Sequence, residues 1–136
     1  MTGRDAGRVS VFMAVAVTGL VAVLGVAVDA TGQLRTLLRA DNLAAEAARA
    51  AGQAVDVDVV AESGQHRVDP DQAVAYASEY LATAAHDHAS QVAVNGDGTA
   101  VDITVELTYQ HRILGLFGMP DAVVTGRSTA ILVTGP

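Results

Sequence analysis

Val9 to Val28 reads VSVFMAVAVTGLVAVLGVAV, twenty residues without a charged side chain. A helix of that length spans about 30 Å, the hydrocarbon thickness of a bilayer. The only polar side chains in it, Ser10 and Thr18, can return their hydroxyls to carbonyls of the preceding turn. Arg4 and Arg8 precede the run and Asp29 follows it. By the positive-inside rule this predicts a cytoplasmic segment at 1–8, a single-pass transmembrane helix at 9–28 in the cell membrane, and an extracytoplasmic domain at 29–136. A secretory signal has a shorter apolar core ending in a small-x-small cleavage site. Val28-Asp29-Ala30 fits that site poorly, so an uncleaved anchor is expected.

The helical pattern continues past the charge. Arg35, Arg39, Asn42, Glu46, Arg49 and Gln53 recur at steps of four and three, and Leu34, Leu37, Leu38, Ala44, Ala45, Ala48 and Ala51 lie opposite. This predicts a helix over 29–53 continuous with the membrane helix, about 65 Å in all, half in lipid and half laid against the domain. Gly32 is its weak point outside the lipid. Within the span, Ala14, Thr18, Ala22 and Gly25 fall on one face. Small residues at that spacing allow a second membrane helix to approach closely.

Residues 54–69 read as a loop with a short edge strand at 57–61. Asp69-Pro70-Asp71-Gln72 is a helix start, with Asp69 as N-cap, Pro70 at the first position and Gln72 closing a capping box. The helix over 70–86 should bury Ala73, Tyr76, Ala77, Tyr80, Leu81 and Ala84. The period then drops to two, giving strands at 91–95, 99–110 and 122–134. A turn at Asn95-Gly96-Asp97-Gly98 joins the first two. Val101, Ile103, Val105, Leu107 and Tyr109 should face inward. In the last strand Val124, Gly126, Ser128, Ala130 and Leu132 form a small-residue face suited to the alanine-rich helix at 34–51. The chain is 51% hydrophobic but only 4% aromatic, so much of its packing must use small side chains. The fold expected is α+β: a long N-terminal helix plus a second helix packed on a small antiparallel sheet of about three strands.

Composition excludes several functions. After residue 28 there are fourteen acidic residues against six arginines, within a net charge of −7, which repels nucleic acid. No cysteine is present. His86-Asp87-His88 is the densest group of metal-ligand types, and a polar helix end explains it without a third ligand. His66 and His111 are isolated. Asp56-Val57-Asp58 and Asp69-Pro70-Asp71 read as a solvated loop and a helix cap. Gly96-Asp97-Gly98 sits in a turn and not before a helix, so it is no phosphate loop. A non-enzymatic chain is expected, with no catalytic residues, metal, cofactor or small-molecule substrate. The segment Ile113 to Pro120, ILGLFGMP, is apolar where a connection is normally polar. Leu114, Leu116, Phe117 and Met119 should either cover the end of the core or form a contact surface for a partner or the membrane.

Several stretches together resemble the TadE/TadG-like proteins of Flp (tight-adherence) pilus systems, in the compact actinobacterial form. They are Arg-Val-Ser-Val-Phe (8–12), Val-Ala-Val-Asp (26–29), the run RADNLAAEAARAAGQAVD (39–56), Ile-Leu-Gly-Leu-Phe-Gly (113–118) and Val-Thr-Gly-Arg-Ser-Thr-Ala (124–130). The resemblance implies a pilin-like, membrane-anchored component of Flp pilus assembly, a minor pilin or pseudopilin. Its implied partners are membrane lipid and other pilus-assembly or pilin-like membrane proteins met through the N-terminal helix. The peptidase pattern of some relatives, a glutamate five residues after a leader glycine, does not fit: Gly7 leads to Phe12 and Gly3 to Arg8. The competing reading is a membrane-tethered or secreted extracytoplasmic binding module unrelated to pili.

Overall fold

A computed structural model describes residues 3–54, 68–85, 89–95 and 99–132. Helix α1 runs Gly3–Ala51 and α2 runs Pro70–Ala84; strands β1, β2 and β3 cover Ala89–Val94, Ala100–Tyr109 and Ala122–Ile131. A 3₁₀ helix at Leu114–Phe117 lies between β2 and β3. The architecture is α+β, with a three-stranded antiparallel sheet in the order β1-β2-β3. The single helix α1 joins the expected membrane and downstream helices without a break at Gly32. Its N-terminal part is long and apolar enough to cross a membrane once.

The chain divides into two compact units, Met1–Leu34 with Tyr109–Ala122, and Arg35–Thr108 with Val123–Pro136. In the second unit the core is made of small side chains. Ala40, Ala44, Ala47 and Ala51 are buried along α1, and Ala73, Ala77 and Leu81 along α2. From β2, Val101, Ile103, Val105 and Leu107 join them, and from the β3 segment Val124, Ala130 and Leu132. The alternation expected along β2 is therefore present, with Asp102, Glu106 and Thr108 exposed.

Two expected faces need correction. On α1 Leu34 and Leu38 are exposed; Ala44 and Ala51 are buried as expected, and Ala40 and Ala47 are buried with them. The cause is the partner surface. A Cβ placed on Gly126 of β3 would overlap the backbone of Ala40 and Asp41, so strand and helix meet at a separation that only glycine at 126 permits. On α2, Tyr76 is exposed while Tyr80 and Ala84 are half-buried, because the buried row advances four residues at a time from Ala73 to Leu81.

The start of α2 is capped as expected at Asp69, whose Oδ1 accepts the amides of Asp71 at 2.9 Å and Gln72 at 3.3 Å. The capping box itself is altered. Gln72 Nε2 donates to Asp69 Oδ2 at 3.4 Å, while the amide of Asp69 donates to Ala54 O at 3.1 Å. That bond and Val68 N–H to Leu132 O at 2.9 Å tie the entry of α2 to the end of α1 and to β3.

β1 pairs antiparallel with β2 from Ala89↔Glu106 to Val94↔Val101. The turn joining them is closed by Asn95, whose amide donates to Ala100 O and whose Oδ1 accepts the Ala100 amide, both at 2.9 Å. Residues 96–98 of that turn, the edge strand at 57–61, His86 at the expected end of α2 and residues 133–134 of the last strand lie outside the described residues. On the outer face, Thr129 Oγ1 donates to Asp102 Oδ1 at 2.8 Å.

Two substitutions test this packing in the full chain in detergent, by chemical denaturation. Gly126→Ala should cost about 1–3 kcal/mol or more, since the added methyl meets backbone that cannot swing aside. Asp69→Ala should cost about 1 kcal/mol through the lost cap. A neutral Gly126→Ala would contradict the close approach.

Candidate functional site

Asp29 is the first residue after the uncharged run, and it is the one buried charged side chain among the described residues, with 1% of its surface left. Gly25 and Gly32 stand one helical turn to either side of it. Positions 25, 29 and 32 share one helix face, and the segment Tyr109–Leu114 lies on that face. A Cβ on Gly25 would come within 2.6 Å of Ile113 Cγ2, and one on Gly32 would overlap the Tyr109 ring and hydroxyl. The two missing side chains make the seat into which this segment fits.

Four donors converge on the carboxylate. The Tyr109 hydroxyl (3.0 Å) and the Arg112 amide (2.8 Å) donate to Oδ1; the amides of Ile113 (3.1 Å) and Leu114 (2.7 Å) donate to Oδ2. The last two stand at the N-terminal end of the 3₁₀ helix Leu114–Phe117, where amides lack a partner within the helix and a negative charge is favoured. Asp29 thus acts as a cap supplied from another helix.

Burial alone would push the carboxyl pKa up. The amides of Leu114 and Arg112, the Tyr109 hydroxyl and the Ile113 amide outweigh burial and bring it down from 3.8 to about 2. Hydrogen bonds to the charged form have this effect because protonation would forfeit them. Tyr109 moves the other way: burial, its bond to Asp29 and the nearby negative charge raise its pKa, with Arg112 opposing. The His111 ring packs edge-on against Tyr109, with centroids 5.5 Å apart, and its Nδ1 is buried without a hydrogen-bond partner.

Beyond this seat the loop closes on itself. Leu116 N–H donates to Ile113 O at 3.1 Å, Gly118 N–H to Gly115 O at 3.0 Å and Met119 N–H to Leu114 O at 3.2 Å. Gly118 takes φ 84° to end the 3₁₀ helix, a left-handed conformation that glycine adopts without steric cost. Of the four apolar residues singled out in the sequence, Leu114 is half-buried at the seat. Leu116, Phe117 and Met119 are exposed, Leu116 by 84%. Core covering, the first of the two uses expected for them, is therefore not what these three do.

The small-residue stripe of the N-terminal helix is also divided. Gly25 is taken up by Ile113 and Leu114 of the same chain. Ala22 is half-buried, and Ala14 and Thr18 are exposed, with Thr18 Oγ1 donating to Ala14 O at 2.8 Å. Asp29 and Gly32 were legible only as a helix exit and a weak point. Their signal was the spacing, an acid at the end of an uncharged run with a glycine a turn away on each side.

Among the described residues, no three His, Asp or Glu side chains are grouped as metal ligands. His66, His86 and His88 lie outside the described residues, as do Asp56 and Asp58. A shallow groove of about 400 Å³ in the second unit is lined by Arg35, Leu38, Arg39, Asn42, Leu43, Glu46 and Tyr80. Glu46 there is paired with Arg49. Fold and site define an α+β chain with one long apolar helix, compatible with a single membrane anchor. No family model matches the chain, and neither a curated protein nor a solved structure is similar to it at a significant level.

The Asp29 bonds carry a pH dependence of known sign. A carboxyl whose pKa is depressed in the folded chain stabilises it fully above the unfolded value of 3.8. That contribution shrinks as pH falls and is gone near pH 2. Denaturation midpoints of the full chain in detergent should drop over this window. Asp29→Asn should be less stable at pH 7 and lack this part of the drop, because an amide turns an NH₂ donor toward backbone N–H groups. Tyr109→Phe, losing one donor of four, should fall between wild type and Asp29→Asn; equal pH profiles for wild type and Asp29→Asn would refute the assignment.

Proposed function

We propose that the chain is a non-enzymatic, single-pass membrane protein of the TadE/TadG-like kind, a minor pilin or pseudopilin-like component of Flp-type pilus assembly. Its N-terminus would be cytoplasmic and its α+β body extracytoplasmic. One observation carries the reading: α1 continues unbroken from Gly3 to Ala51, through the uncharged run and past Asp29 and Gly32 into the alanine face of the folded core. A signal peptide needs no such continuity, since it is removed from the mature chain. A subunit drawn from the membrane into an assembly would use one continuous helix to link its apolar run to its folded part. The Asp29 seat supports this by bonding the Tyr109–Leu114 segment to the helix where the uncharged run ends.

The reading gives the N-terminal helix two partners, lipid and the helices of other pilin-like membrane proteins. Ala14 and Thr18, both exposed, are the side chains available for the second. Deleting the gene in its host should abolish or sharply reduce Flp-type pili seen by electron microscopy, with the protein itself in the membrane fraction of the wild type. Normal piliation would overturn the pilus assignment. A soluble, N-terminally trimmed product in the medium would overturn the anchor.

A further inference from the structure

We infer that the loop Ile113–Met119 is a second membrane contact, an apolar wedge that enters the outer lipid interface beside the helix. This rests on reading α1 as the membrane anchor, and it deepens that reading by adding a site.

Depth is the first argument. Ile113 and Leu114 sit against Gly25, one turn inside the end of the uncharged run at Val28, and their amides are held by Asp29. A turn of helix is about 5.4 Å long, so the loop is fixed at the level where that run leaves the hydrocarbon. At that level a membrane-anchored chain is surrounded by lipid.

Chemistry is the second. Between Arg112 and Asp121 no residue is charged, and Leu116, Phe117 and Met119 are exposed. Leu24 and Val28 of the helix, at the same level, are exposed as well.

Backbone satisfaction is the third argument. An irregular loop is excluded from lipid when its polar groups lack partners. Here the amides of 112, 113 and 114 are held by Asp29, and those of 116, 118 and 119 by carbonyls of the loop itself. Pro120 has no amide to satisfy. These bonds lower the cost of placing the loop in the lipid interface, where it displays Leu116, Phe117 and Met119 together.

The chain has no tryptophan and no cysteine, so single reporters can be placed in the full-length protein in phosphatidylcholine vesicles. Phe117→Trp should emit to the blue of the exposed control Ser90→Trp. It should be quenched several-fold more by lipid brominated near the carbonyl end of the acyl chains than that control is, and several-fold less by aqueous acrylamide. Acrylamide quenching equal to the control would overturn the proposal. So would a blue shift without quenching by brominated lipid, the result expected if a second copy or another protein covers the loop. Val17→Trp, in the middle of the uncharged run, separates the two readings. If lipid brominated deep in the chains quenches it while Phe117→Trp stays wet, the anchor stands and the wedge falls; if neither is quenched by lipid, both fall. Leu116→Cys should react several-fold more slowly with a membrane-impermeant maleimide in vesicles than Ser90→Cys does, and equal rates would refute the wedge independently of tryptophan.

Discussion

A carboxylate buried at the end of a long uncharged helix needs partners, and the supply of them shapes everything around Asp29. Such a charge is expensive to remove from water unless hydrogen bonds replace the lost hydration. Asp29 receives four, two on each oxygen, and three come from consecutive backbone amides that themselves need acceptors. The arrangement is reciprocal: the loop satisfies the acid and the acid satisfies the loop. Removing either partner leaves the other buried and unpaired, which costs more than the bond itself contributes.

The seat works only because its neighbours are small, and the same device recurs elsewhere in the chain. Gly25 and Gly32 leave room for Ile113 and Tyr109, while in the second unit Gly126 meets the backbone at Ala40. A chain with few aromatic and many alanine side chains cannot fill a core by volume. It can bring backbones close, so that many weak dispersion contacts replace a few large ones. At Gly126, where the atoms met are backbone, such a contact leaves no room for an added methyl. The few larger buried side chains, Leu81, Ile103 and Leu132, belong to the same core cluster.

Much of the fold could be read from periodicity. The alternation of Val101 to Tyr109, the small face of β3 and the Asp69-Pro70 helix start each depend on local spacing, and local spacing is what a sequence displays. Less was legible where a partner decides which face turns inward. Leu34 and Leu38 look like core residues until Gly126 draws the Ala40 stripe into contact, because leucine holds two backbones too far apart for that approach. The Asp29 seat was hidden for a related reason. Three of its four donors are backbone amides more than eighty positions away, and an amide is the same in every residue. Only the Gly25-Asp29-Gly32 spacing marked the place, together with a loop of unexpected apolarity.

The depressed pKa of Asp29 bears on what kind of part this is. A sensor placed at a membrane boundary needs a group that changes charge within the range of pH it meets, usually a histidine or a carboxyl raised by burial. Here burial would raise the carboxyl, but the four hydrogen bonds bring it to about 2, well below any ordinary cellular pH. The carboxylate is therefore charged at neutral pH, and an ordinary change of pH does not remove the acceptor of the bonds from residues 109–114. A contact that does not switch holds the 3₁₀ helix and its exposed Leu116, Phe117 and Met119 in one place relative to the anchor helix. Fixed geometry of that kind is what the proposed membrane subunit would need, and it would let the apolar loop serve as the lipid contact inferred above.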